Sequence, residues 1–176
     1  MRYSRVTLFG AVAGLSAAIA ACDQPEWRGL SVTEAVNGES HPQSSDPLPQ
    51  PPAWLQPLQG QPLRAGVSKE VDCKGNAENV ALIYAGQPNG VRIAGWAWGS
   101  DERAPPPRIL IVDSSARIVG GGETGLERLD VPTALPEVTS NYTGWWALTS
   151  QLSGSVEVYG LMADGKSICR VGKLDL

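Results

Sequence analysis

Glycine and proline punctuate this chain too often for long helices. With 20 Gly and 14 Pro among 176 residues, and no segment that holds a 3.6-residue apolar period, an α/β architecture is excluded. What the punctuation leaves is a series of short apolar runs: Val67–Cys73, Asn79–Tyr84, Val91–Trp98, Arg108–Asp113, Ala116–Val119, Gly144–Thr149, Val156–Ala163 and Ser167–Leu174. Each is bounded by Gly, Pro, Asn or Asp, the signature of strands joined by tight turns. Pro88-Asn89-Gly90 and Asp164-Gly165 mark two of those turns.

Eight short strands at this spacing predict an all-β fold, a single small sandwich of immunoglobulin-like type over residues 66–176. Alternation assigns faces. Val91, Ile93, Gly95 and Ala97 share one face of their strand and Arg92, Ala94, Trp96 and Trp98 the other. Val156, Val158, Gly160 and Met162 turn inward, with Glu157 and Tyr159 outward. Ile109-Leu110-Ile111-Val112 is apolar on both faces, as a central strand is.

Before residue 66 the composition is of another kind. Arg2 and Arg5 precede the weakly polar run Val6–Ala21, which would rise only about 24 Å as a helix, short of a bilayer span. Its end, Ile19-Ala20-Ala21-Cys22, resembles the lipobox of bacterial lipoproteins. The resemblance implies a signal peptide over 1–21, removed on maturation, and a diacylated and N-acylated (palmitate-type) Cys22. It places the protein on a membrane, facing the periplasm or the cell exterior. Asp23 resembles the signal that retains some lipoproteins in the inner membrane. Residues 22–65 then hold eight of the 14 prolines among Gln, Ser and Gly. Such a stretch reads as a disordered tether, with Trp54, Leu55 and Leu58 as isolated apolar points.

Three cysteines are one too many for pairing in an oxidising compartment. Lipid on Cys22 leaves Cys73 and Cys169, which predict a disulfide joining the first and last strands. In the chain-entropy picture it contributes about 4–5 kcal/mol, because it closes almost the whole module.

The order Gly90-Val-Arg-Ile-Ala-Gly-Trp-Ala-Trp98, Arg108-Ile-Leu-Ile-Val-Asp113, Glu127-Arg-Leu-Asp-Val131 and Gly144-Trp145 resembles a small β module of bacteria. That module has a Gly-Trp-Ala strand, an Arg-x-Asp-Val segment and a closing Gly-aromatic strand. It occurs on bacterial surface-polysaccharide membrane proteins and glycosyltransferases. The resemblance implies a fold more than a function, since here the module stands without a catalytic or polytopic companion.

No reaction is legible. The only histidine, His41, lies in the proline-rich stretch, which removes the commonest general base from the module. Gly120-Gly121-Gly122 reads as a flexible turn with no helix behind it to cradle phosphate. Arg128 and Asp130 read as an internal ion pair. No metal site or cofactor motif is present, and a formal charge of −4 argues against nucleic acid. The expected role is therefore a non-enzymatic binding or interaction module in the cell envelope, with an envelope protein or glycan as partner. The alternatives are a structural spacer and, last, a carbohydrate-active enzyme. The candidate ligand face is Arg92, Trp96, Trp98, Tyr142 and Trp145. Two readings of it are open: a stacking platform, or indoles buried under the 120–143 connection. The N-terminal reading carries its own test. Mass spectrometry of the native protein should show an acylated Cys22 at the N-terminus, and an unmodified cysteine there would refute lipidation.

Overall fold

The computed structural model describes residues 41–176. The signal peptide, Cys22, Asp23 and the first part of the proline-rich stretch lie outside the described residues. The elements are β1 (Gln43–Ser44), two 3-10 turns (Gln56–Leu58 and Leu63–Ala65), β2 (Lys69–Glu70), β3 (Cys73–Tyr84), β4 (Gly90–Gly99), β5 (Arg108–Val112), β6 (Ile118–Leu126), the short helix α1 (Asp130–Ala134), β7 (Gly144–Thr149), β8 (Ser155–Leu161) and β9 (Ser167–Asp175). The all-β expectation holds.

The two packed sheets of a sandwich do not describe how these strands associate. All nine form one hydrogen-bonded sheet in the order β1-β3-β4-β7-β6-β5-β8-β9-β2. The sheet curls until β3 and β9 meet. They meet through side chains: a Cβ on Gly75 would lie 2.7 Å from Val171 Cγ1, and Cys73 and Cys169 are disulfide-bonded with Cα atoms 5.6 Å apart. The expected pairing is therefore present, and it pins the seam of the curled sheet.

Inside the curl lie Ala77, Val80, Val91, Ile93, Ala97, Ile109, Ile111, Trp145, Ala147, Val156, Val158 and Val171. The faces of β4 and β8 are as alternation assigns them. Both faces of β5 are buried: Ile109 and Ile111 point inward, while Leu110 and Val112 point out into a second apolar cluster.

That second cluster corrects the reading of the proline-rich stretch. Residues 42–65 are not a loose tether. They are laid along the outside of the sheet, where Leu55 and Leu63 pack on Leu110, Val112, Ile118 and Leu161, and Leu55 is fully buried. The segment begins as β1, parallel to Ile83–Tyr84 of β3. It is then tied by Leu48 N–H to Pro88 O at 2.6 Å, Gly60 N–H to Ile118 O at 2.8 Å and Leu63 N–H to Ala116 O at 2.9 Å. Its prolines set extended backbone and remove donors that would otherwise need partners. The folded unit thus starts well before residue 66.

Two strand expectations also shift. Val67–Cys73 supplies only the two-residue β2, and Cys73–Tyr84 is a single long strand. Gly120-Gly121-Gly122 is the middle of β6 and not a turn. A Cβ on Gly121 would come within 3.1 Å of Leu55 Cδ2, so a bare backbone at this position is what lets the segment lie down.

Leu55→Ala should therefore destabilise the protein by about 2–5 kcal/mol, as for a core leucine, and Cys73→Ser should lower the unfolding midpoint in addition. A thermal melt checks both; a Leu55→Ala midpoint equal to wild type would contradict the packing.

Candidate functional site

The expected ligand face is not assembled. Trp145 is fully buried inside the curl, on the interior side of β7 opposite Gly95. A Cβ on Gly95 would lie 2.5 Å from the Trp145 ring, so Gly95 is the floor on which the indole rests. Trp98 is 3% exposed and packs on the outside with Trp96, Val131, Leu135 and Val138, under α1 and the chain that follows it. Arg92 is half-buried in a different outward row, between Leu82 and Leu148, about 13 Å along the strand from Trp96. Of the five residues, Trp96 and Trp98 come together as packing, and Tyr142 stays exposed at 58%. The buried reading of the indoles holds for Trp98 and Trp145.

The cover over Trp96 and Trp98 is clamped by Arg128. Its guanidinium donates to Asp130 (Nε to Oδ1 2.8 Å, Nη2 to Oδ2 2.7 Å) and to Glu78 on β3 (Nη1 to Oε2 3.0 Å, Nη2 to Oε1 2.9 Å). The fork geometry of arginine suits two carboxylates at once. Its stem crosses Gly144, where a Cβ would lie 2.8 Å from Arg128 Cγ. Lys74 adds an ion pair with Glu137 beyond the helix. The expected Arg128–Asp130 pair is present, and Glu78 extends it across strands. The guanidinium holds the Asp130 carboxyl down at about 2, mainly by direct hydrogen bonding. The residues that carry the Gly-Trp-Ala, Arg-x-Asp-Val and Gly-Trp motifs thus pack on one another.

What remains open to solvent lies around and beside that clamp. Leu126 is 43%, Leu129 58% and Trp146 38% exposed. Leu126 sits against Gly144, and Trp146 projects outward two residues further along β7. Together with Tyr142 they form an aromatic and aliphatic face at the end of the curled sheet where β6 and β7 lead into the helix connection. Beside it, Trp146 shares a cross-strand row with Glu123 and Arg108. Trp54, from the segment before β2, donates Nε1–H to Glu123 Oε1 at 3.0 Å, and the Arg108 guanidinium stands 5.0 Å from the centroid of the Trp54 ring. Sequence reasoning missed Trp146, Trp54, Arg108, Glu123, Leu126 and Leu129. Trp145 and Trp146 are adjacent on β7, so alternation puts them on opposite faces, and the expected ligand face took the inward one. The contact from Trp54 to Glu123 spans 69 positions and leaves no local mark.

Among the described residues no group of three or more His, Cys, Asp or Glu could hold a metal ion. The site's chemistry is contact: planar rings, aliphatic tips and an arginine–carboxylate pair.

The clamp makes a pH-dependent prediction. Asp130 has its carboxyl depressed from 3.8 to about 2, so its contribution is complete above about pH 4 and is lost as pH falls through 2. Tryptophan emission should shift to the red over that interval as the cover over Trp96 and Trp98 loosens. Arg128→Ala should show the shift already at neutral pH; wild-type-like emission in that variant would deny the clamp its role. In comparisons with known proteins, the chain matches no protein-family model, no curated protein and no solved structure.

Proposed function

We propose that this chain is a lipid-anchored cell-envelope protein that acts by binding, with the face around Tyr142, Trp146, Leu126 and Leu129 as its contact surface. One observation carries the reading: four large exposed apolar side chains fall at one end of the curled sheet, Leu126 and Trp146 on the paired strands β6 and β7 and Leu129 and Tyr142 on the connection between them, whose two ends are tied by Arg128 N–H to Asn141 O at 2.6 Å. Exposed Trp and Tyr on an ordered scaffold are the residues that contribute most to binding and lose least entropy doing so.

The lipobox-like Ile19-Ala-Ala-Cys22 supports the anchor, and the Cys73–Cys169 bond supports an oxidising, extracytoplasmic setting. The module from residue 66 onward holds no histidine, in keeping with a role in contact and not in catalysis.

The test is retention of the full chain by delipidated envelope fragments of its own cell. Trp146→Ala and Leu129→Ser should each lose roughly tenfold in retention, the scale of one aromatic or aliphatic anchor. Leu152→Ser removes an exposed leucine from the opposite end and should change nothing. Equal retention of all three variants would overturn the proposal.

A further inference from the structure

The row beside the contact face is ordered in a way that specifies chemistry. Arg108 on β5 is the direct partner of Glu123 on β6, Glu123 of Trp146 on β7, and Trp146 of Ala94 on β4. Direct partners stand about 5 Å apart, so a guanidinium, a carboxylate and an indole lie side by side. The methyl group of Ala94 leaves space beyond the ring.

Trp54 holds the polar pair in place. Its Nε1–H takes Glu123 Oε1, and its ring lies under Arg108. Trp54 itself is half-buried against the Leu55–Leu110 cluster, so its own ring is a support and not a free platform. Among the described residues Glu123 Oε2 accepts no hydrogen bond, and the Arg108 guanidinium forms no hydrogen bond or ion pair. The row therefore presents one open aromatic ring flanked by an acceptor and a fork of donors, all fixed beforehand on paired strands.

Its charges cancel, which decides the class of ligand. A phosphate or an acidic chain would meet Glu123, and a basic peptide would meet Arg108. An uncharged polyol uses both, because each hydroxyl donates and accepts. A pyranose ring also has an apolar C–H face that lies flat on an indole. Resting on the contact face argued above, we propose that this row is a saccharide subsite: a neutral sugar ring stacks on Trp146, its hydroxyls bond to Glu123 and Arg108, and Trp54 is the positioning residue.

The experiment uses the full chain in a non-glycosidic detergent, titrated with chitotetraose, cellotetraose and maltotetraose. Tryptophan emission and saturation-transfer NMR report binding. At least one of the three should shift the emission saturably and show transfer to its ring protons. Trp146→Ala should abolish the response, and Glu123→Gln should weaken it roughly tenfold, the scale of one charge-assisted hydrogen bond. Trp54→Phe keeps a ring under Arg108 and loses only the donor to Glu123. It should weaken binding with an unchanged unfolding midpoint, which a purely structural role for Trp54 would not do. Leu152→Ser should bind as wild type. No response to any of the three sugars, with envelope retention still dependent on Trp146, would overturn the saccharide assignment and leave the contact face standing. Loss of both would overturn the two together. A concentration-dependent mass that disappears in Trp146→Ala would instead make the occupant a second copy of this chain and also refute the subsite.

Discussion

The Trp145 indole inside the curled sheet is the constraint that the outer surface depends on. A sheet curled until β3 meets β9 encloses a volume that aliphatic side chains alone fill poorly, and this one is filled by laying a large ring over a backbone with no side chain at Gly95. Burial of one tryptophan at this scale contributes several kcal/mol in area alone. It carries a cost, since Trp145 Nε1 is buried without a hydrogen-bond partner. Because β7 alternates, committing Trp145 to the interior commits Trp146 to the outside. The exposed ring is a geometric consequence of the buried one.

The outer side of the sheet has a matching problem. β5 is apolar on both faces, and its outward Leu110 and Val112 require a cover. The cover is not a second sheet, as a sandwich would supply, but an irregular segment rich in proline. Its few apolar side chains, Leu55 and Leu63, are spaced to meet β5 and β6, and Gly121 lets them come close. Extended proline-rich chain loses less conformational entropy on docking than a flexible coil does. A modest number of contacts is therefore enough to hold it.

This explains what was legible in the sequence. Period-two alternation revealed β4, β5 and β8, including the two buried faces of Ile109–Val112, because strand faces are a local property. The disulfide was legible from cysteine counting. The short-range Arg128–Asp130 pair was legible too, its partners being two residues apart. The covering segment was not, since proline content reports backbone stiffness and says nothing about a surface 60 residues away that needs shielding. The three consecutive glycines misled for the same reason. Glycine signals a turn or a close approach, and which of the two depends on whether another chain segment lies above it. Trp96 and Trp98 were placed correctly on the outward face of β4, yet the cover that buries Trp98 and half-buries Trp96 arrives from α1 and is held by an arginine whose second partner, Glu78, is 50 positions away.

The same long-range contacts join the two halves of the molecule's architecture. Trp54 belongs to the segment that covers the core and, through Glu123 and Arg108, to the row that contains Trp146. Covering β5 and ordering that row are thus one event: if the segment lifted, Leu110 would be bared and Glu123 would lose the donor that fixes it. The segment is also the part of the described chain that comes nearest in sequence to Cys22. Its docking sets where the described chain enters the fold, on the side of Tyr84 and Pro88. A proline-rich stretch that resembles a passive spacer in composition therefore does three jobs at once. It seals the outer core, it sets where the described chain enters, and it holds the polar groups beside the exposed indole.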